Sequence, residues 1–320
     1  MARHPLQPTR FVVTNSVVPS PEVIHARSQH PITDRKQDFD GILLLLSDSY
    51  TLLSDVNTWS FCRFAGWTVY SAPKDLSRLL HLWRTEAGKL VGFAIIDGGR
   101  DTWVVTHPAY RDIERDIFTW VEQDWPAEGN LRVTYAEFAD SHRRAVLTAQ
   151  GYREGRESEY MHKYDLSKVS RTYALEPGFT IRDVATDGDH LGRAALTHEV
   201  FHPGEPLPEN YRPRRHLVPS YDATLDLAAF SPEGKPVAFA TGWLNPENGS
   251  AETEPVGTRA DYRQRGLAKA LVTEAFKRLA DRGATYAHIA SAPKPAVSNF
   301  LCDGLGPVSK LRFVRWIETM

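Results

Sequence analysis

Two short landmarks recur at nearly the same distance along the chain. Thr106 and Thr258 each close a strand-like stretch and are followed four residues later by Tyr-Arg, as Tyr110-Arg111 and Tyr262-Arg263, an offset of 152 residues. Gly151 and Gly306 each close a helix-like stretch, at an offset of 155. Two near-equal offsets on either side of one strand-helix unit point to a single domain written twice. A length of 320 residues suits two domains of ordinary size.

The rest of the pattern supports that division. Residues 1–37 hold five prolines and no sustained period, so they read as an extended arm. Over 38–167 the spacing predicts a helix from Asp40 to Leu53, strands at Leu79–Trp83, Leu90–Ile96 and Thr102–Thr106, and a helix from Asp112 to Trp125. A strand at Leu131–Phe138, a helix at Ser141–Gln150 and terminal strands up to Asp165 follow. The polar stretch from Ser167 to Gly178 reads as a linker. In 177–320 the order restarts: a strand at Phe179–Arg182, a helix at Asp189–Phe201, three antiparallel strands between Leu225 and Thr258, and a helix from Leu267 to Asp281. A strand at Tyr286–Ala290, a helix near Ala296–Gly304 and a last strand at Leu311–Ile317 complete an α/β (α+β) chain.

Charge and cysteine content narrow the class. Lys plus Arg (38) nearly cancels Asp plus Glu (40), so no overall basic field favours nucleic acid or an anionic membrane. Two cysteines, Cys62 and Cys302, are too few for a disulfide framework or a four-cysteine zinc site. The longest apolar run, Ile42–Leu46, is far below the roughly 18 residues of a membrane span. The expectation is a soluble cytoplasmic protein, a monomer or homodimer, with no nucleic-acid or membrane partner.

Chemistry concentrates in Glu254-Pro-Val-Gly-Thr258-Arg-Ala-Asp-Tyr262-Arg-Gln-Arg-Gly266-Leu-Ala268, where a strand enters an arginine-rich turn and then an amphipathic helix. A helix start presents unpaired amides and about half a positive charge, an arrangement that attracts phosphate. Gly266 and Ala268 keep side-chain bulk away from that start, while Arg263 and Arg265 add formal charge. Pro255 cannot donate a ladder hydrogen bond and belongs at an edge or bulge.

This segment resembles the acetyl-CoA motif of the GNAT superfamily of N-acetyltransferases, Q/R-x-x-G-x-G/A, and the duplicated layout resembles its tandem-domain bacterial members. The resemblance implies two GNAT-like domains, each a mixed, mostly antiparallel twisted sheet flanked by helices, with acetyl-CoA as cosubstrate and no metal. It implies a pyrophosphate site on the amides of Gln264, Arg265, Gly266, Leu267 and Ala268, with Arg263 nearby. It also implies a pantetheine arm along the backbone of Val256 and Thr258, and Asn299 as a further cofactor contact. In the first repeat Glu114 and Asp116 stand where Gly266 and Ala268 stand in the second. Carboxylates there satisfy the helix dipole and repel phosphate, so cofactor binding is expected in the second repeat alone. The first repeat holds six of the eight tryptophans and is expected to wall the cleft of the second.

Acetyl transfer to a small amine or a peptide needs a base, and Glu252 and Glu254 share one face of a strand ahead of the motif, with Glu254 nearer the bulge. The tyrosine the family often places before its closing Gly-Phe is replaced by Cys302, a candidate acid, although a free cysteine on a helix is more often a small buried apolar residue; Tyr262 and Tyr286 are the other candidates. A second reading is an acyl-CoA-binding scaffold without turnover. A third is a zinc hydrolase through His198-Glu199-Val-Phe-His202, opposed by the immediate helix stop at Pro203-Gly204. On the GNAT reading that helix borders the acceptor cleft, with Glu205, Glu209, Tyr211 and Tyr221 as candidate amine contacts.

Overall fold

The computed structural model describes residues 30–31, 35–56, 58–70, 79–97, 100–124, 131–209, 211, 213, 215–218, 220–293 and 297–319. The arm up to residue 29 and Trp125 lie outside them. His30–Pro31 form an edge strand, β1, and α1 (Arg35–Leu53) begins inside the span read as the arm. Ile42, Leu45 and Leu46 of α1 are buried on one stripe, the spacing of a helix packed on one side. A helix that periodicity did not reveal, α2 (Phe61–Tyr70), follows. Ser60 caps it by accepting a hydrogen bond from the Arg63 amide at 3.0 Å.

Strands β2 (Leu80–Arg84), β3 (Leu90–Asp97) and β4 (Asp101–Thr106) form an antiparallel meander. A 3-10 turn at Pro108–Ile113, α3 (Glu114–Asp124), β5 (Val133–Glu137), α4 (Ser141–Ala149) and β6 (Tyr152–Asp165) complete the first half. The second half runs β7 (Thr180–Asp183), α5 (Val184–Asp187), α6 (His190–Phe201), β8 (Asp226–Phe230), β9 (Pro236–Leu244) and β10 (Ser250–Thr258). It closes with α7 (Leu267–Asp281), β11 (Tyr286–Ser291), α8 (Val297–Asp303) and β12 (Ser309–Glu318).

These strands join in one sheet, in the order β1-β2-β3-β4-β5-β12-β6-β11-β10-β9-β8-β7. Two junctions are parallel, β4 beside β5 and β10 beside β11, and the rest are antiparallel. The last strands of the halves are exchanged: β12 lies against β5 of the first half, and β6 lies against β11 of the second. The cores follow the exchange. Val314 and Trp316 of β12 pack with Ile117, Phe118 and Val146, while Tyr164 and Leu166 from the end of β6 pack with Val272, Phe276 and Ile289. The sheets of the two halves are thus continuous with each other, because the final strand of each half completes the other.

Both parallel junctions are short. β4 meets β5 at Asp101 and Val133 only, and β10 meets β11 over Ser250–Glu252 against Tyr286–His288. Beyond those points the paired strands splay and leave a slot on either side of the exchanged pair. Those slots position the chemistry.

Candidate active site

In the second half, the register of β10 against β9 shifts between Thr253 and Val256, the bulge expected at Pro255, and the Glu254–Pro255 peptide is cis. The bulge changes which residues face the helices. Glu252 and Glu254 point toward α2, and Gly257 then turns toward α6. A Cβ on Gly257 would stand 2.5 Å from the Phe239 ring and 2.9 Å from Val200, so only glycine lets β10 lie this close. Past Glu252, β10 has no strand partner on its β11 side among the described residues, which leaves the Val256 and Thr258 backbone along the slot.

The slot leads to the start of α7. Gln264 has φ +62° and Gly266 has φ +75°, so the turn coils left-handed just before the helix, and no side chain caps it. Ala270 N donates to Gly266 O at 3.0 Å as the first helical bond, so the amides ahead of it lie outside the helix's own ladder, as at any helix start. A Cβ on Gly266 would meet nothing within 4 Å, so the approach to the turn is open. Glycine is required here by its positive φ rather than by crowding. Leu267 is buried beneath the turn and Ala268 is half-buried. The chemistry of this donor set fits a pyrophosphate.

Of the two arginines assigned to the anion, one is otherwise engaged. The Arg265 guanidinium pairs with Glu176 and stacks on Phe179, 4.6 Å from its centroid. Arg263 is exposed, and its Nε donates to Thr258 O at 3.2 Å. Asn299 is 4 % exposed; it accepts from Ser291 Oγ at 3.1 Å and donates to Ala292 O at 2.7 Å, which clips α8 to the end of β11. The candidate acid Cys302 is corrected to a core residue. It is 1 % exposed among Tyr164, Val272 and Phe276, and burial pushes its thiol up to about 11.

The first half shows why the equivalent slot differs. Glu114, at the start of α3, is wholly buried and turned inward rather than occupying the outer face of the turn. It accepts from Thr106 Oγ1 at 2.6 Å, Arg111 Nε at 2.7 Å and Arg143 Nε at 2.9 Å. Arg143, third residue of α4 as Asn299 is third of α8, reaches the splayed backbone of β4 and donates to Val104 O at 2.7 Å. The slot that stays open beside β10 is filled beside β4 by a guanidinium and its carboxylate.

Between α2, α6 and β10 lies a cleft of about 530 Å³, lined by both halves. Its floor is the carboxyl pair. Glu252 is buried, and burial followed by the charge of Glu254 pushes it up to about 8, against the pull of Arg63 and Ser60. Ser60 Oγ donates to Glu252 Oε2. Burial, and then the two carboxylates, hold the adjoining Cys62 thiol protonated. Arg63 is fixed by Glu159 in a two-pronged pair at 2.8 and 3.1 Å. Trp67 and Trp243 wall the cleft, and Trp243 Nε1 donates to Glu254 O at 2.6 Å.

Around helix α6, the side chains of His198, His202, Tyr211 and Tyr221 line the cleft, whereas Glu205 and Glu209 do not. The rings of His198 and His202 stack 4.9 Å apart, but Glu199 turns away to pair with Arg259 at 3.1 Å. Among the described residues no group of three or more His, Cys, Asp or Glu side chains is arranged to hold a metal. Arg63, Arg193, Arg215 and Asp226 of this cleft, and Ser60 beneath it on Glu252, carried no motif. Ser60 and Arg63 sit at the start of the unrecognised α2, and the others come from separate elements joined only by the fold.

A mixed sheet whose parallel junction ends early, an uncapped helix start at one end and a carboxyl pair beside it make up the candidate site. Residues 178–300 match the family described as Acetyltransferase (GNAT) family. A GCN5-related N-acetyltransferase from Sphaerobacter thermophilus shares the fold at TM-score 0.59 and 19% identity, over 90% of this chain and 94% of that one. A tandem GNAT protein from the clavulanic acid biosynthesis pathway gives TM-score 0.57 at 13% identity, over 91% and 97%. A GNAT-family acetyltransferase from Colwellia psychrerythraea gives 0.52 at 15%, over 75% and 85%. No curated protein matches the sequence. No helix among the described residues is long and apolar enough to cross a membrane.

Proposed function

We propose that the chain transfers an acetyl group from acetyl-CoA to a primary amine by direct attack, with the reacting centre in the second half and the first half as a closed structural partner. The observation that carries this reading is the uncapped, left-handed start of α7 at Gly266, at the end of a β10 that has parted from β11. The amides of Gln264–Ala268 would hold the pyrophosphate, and the Val256 and Thr258 backbone would pair with the pantetheine arm. Acetyl-CoA supplies the activated thioester. The residues of this chain bind and orient it, exclude water with Trp67 and Trp243, and take a proton from the incoming ammonium.

Glu254, beside the bulge, is the proton acceptor in this reading. Glu252, pushed up by burial and by the neighbouring Glu254, keeps its own proton at neutral pH. Cys302 takes no part. The slot therefore offers no acid from α8, and the leaving thiolate departs as such or takes its proton from water. The same observation favours the second reading, a binding scaffold without turnover.

Gly266→Glu separates these possibilities from a protein that binds no CoA. The substitution costs about 1 kcal/mol in the left-handed turn and places a carboxylate among the amides. Calorimetry is expected to show acetyl-CoA binding to the wild type and none to the variant, with the circular dichroism spectrum unchanged. Equal binding by both proteins would sink the site. Thiol release over an amine panel tests transfer, and Glu254→Gln is expected to lower kcat/KM by about 10²-fold or more.

A further inference from the structure

Ser291 ends β11 at the wall of the slot opposite β10. Among the described residues β11 has no partner on its β10 side past His288, and the bulge between Thr253 and Val256 takes up one residue of β10. Counting on from Glu252 opposite His288, with that residue left out, sets Ser291 level with Val256 across the slot. Ser291 is 5 % exposed and faces α8, on the side of the sheet where Val256 packs with α7. Glu252 and Glu254 face α2, on the other side.

The Ser291 hydroxyl is held in a chain of hydrogen bonds whose directions are fixed. Asn299 Nδ2 donates to Ala292 O at 2.7 Å, so its Oδ1, which can only accept, takes the Ser291 hydrogen at 3.1 Å. His162 Nε2, 2.9 Å from the same Oγ, must then carry a hydrogen and donate it. His162 is wholly buried, and its Nδ1 lies 3.6 Å from Asp303 Oδ1. Lys310 Nζ donates to Asp303 Oδ1 at 3.1 Å and to Asn299 Oδ1 at 3.4 Å. Asn299 therefore keeps a donor when the Ser291 hydrogen turns elsewhere. A hydroxyl that accepts from an imidazole N–H is also a stronger donor than a solitary one, because hydrogen bonds in series polarise one another.

We propose that Ser291 stabilises the CoA thiolate as it leaves, by turning its hydroxyl from Asn299 to the sulfur, with His162 behind it as a positioning residue. The assignment rests on reading this slot as the cofactor slot. When the amine attacks, the carbon–sulfur bond breaks and its electron pair stays on sulfur. A thiol, at about 8.5, is a far stronger acid than an aliphatic alcohol, so the hydrogen stays on Ser291 and is shared in a charge-assisted bond. The acyl group is then served from both faces of the sheet, by Glu254 toward the arriving amine and by Ser291 toward the departing sulfur.

The thiol of bound CoA tests this without any acceptor amine. Burial holds both protein thiols protonated, Cys302 up to about 11 and Cys62 well above its ordinary value. Between about pH 6 and 9.5, the thiolate absorbance of the full chain with CoA, less that with acetyl-CoA, therefore follows the CoA sulfur. In the wild type that sulfur is expected to titrate about one pH unit or more below its position in Ser291→Ala, the scale of a hydrogen bond to a charged group. His162→Gln, which keeps a donor for Ser291 Oγ, should retain most of the difference. His162→Leu, which removes the donor, should lose part of it, and carries the same test should Ser291→Ala not fold. Equal titration in the wild type and Ser291→Ala, with calorimetry showing CoA bound to both, would overturn the proposal and leave the cofactor site standing. A wild type that binds no CoA would overturn both.

Discussion

At the scale of single residues the site is governed by two carboxyl groups that share one face of β10. Their spacing was legible in the sequence because alternate strand residues face the same way. Their environment was not: burial of Glu252 depends on Ser60 and Cys62, about 190 residues earlier, at the start of a short helix on the other half of the chain. The raised Glu252 makes a prediction about stability. Between its ordinary 4.5 and about 8, the folded chain holds a proton that the unfolded chain releases. Stability therefore falls as pH rises through that window and levels off above it. Glu252→Gln cannot lose a proton, so its thermal midpoint should decline less than that of the wild type between pH 5 and 8.5. The variant should be the more stable protein at the upper end by a few degrees, at about 2–4 °C per kcal/mol. Parallel curves for the two proteins would show that Glu252 is not protonated in the fold.

Among elements, the informative comparison is between the starts of α3 and α7. The sequence shows Glu114 at the position of Gly266, and charge repulsion was the natural reading. The structure gives a different physical reason. Glu114 points inward and anchors Arg143, which fills the slot beside β4, so the first half is closed by an internal ion pair more than by surface charge. That contact was hidden because Arg143 lies on another helix, and local periodicity assigns a residue to a face without naming its neighbour. Breaking the pair from one side leaves a buried guanidinium without its carboxylate, which costs about 3–5 kcal/mol. Glu114→Ala should therefore lower the melting temperature by roughly 6–20 °C at the same 2–4 °C per kcal/mol, and calorimetry should find no additional acetyl-CoA site. A variant that melts like the wild type would show that the pair contributes little. A second bound acetyl-CoA would mean that Glu114 alone had kept the slot shut.

For the whole molecule, the exchange of β6 and β12 decides how the chain can come apart. Most elements were legible one by one, because helix and strand periods are local; the exchange was not, because no local pattern says which strand lies beside which. If residues 177–320 were a self-sufficient domain, that fragment would melt on its own. The strand pairing argues otherwise. Without β6, strand β11 loses its partners from Tyr160 to Asp165, and β12 loses its neighbours on both sides. The core under α7 loses Tyr164 and Leu166 as well. The first half in turn lacks Val314 and Trp316 without β12. The two halves should thus fold only together, in a single cooperative transition for the intact chain. The fragment 177–320 produced alone is expected to give no cooperative thermal transition, and to gain one, together with acetyl-CoA binding, on mixing with 1–167. A sharp transition from the isolated fragment would show that the exchanged strand is dispensable, and that the second half can fold without the cleft wall that α2 provides.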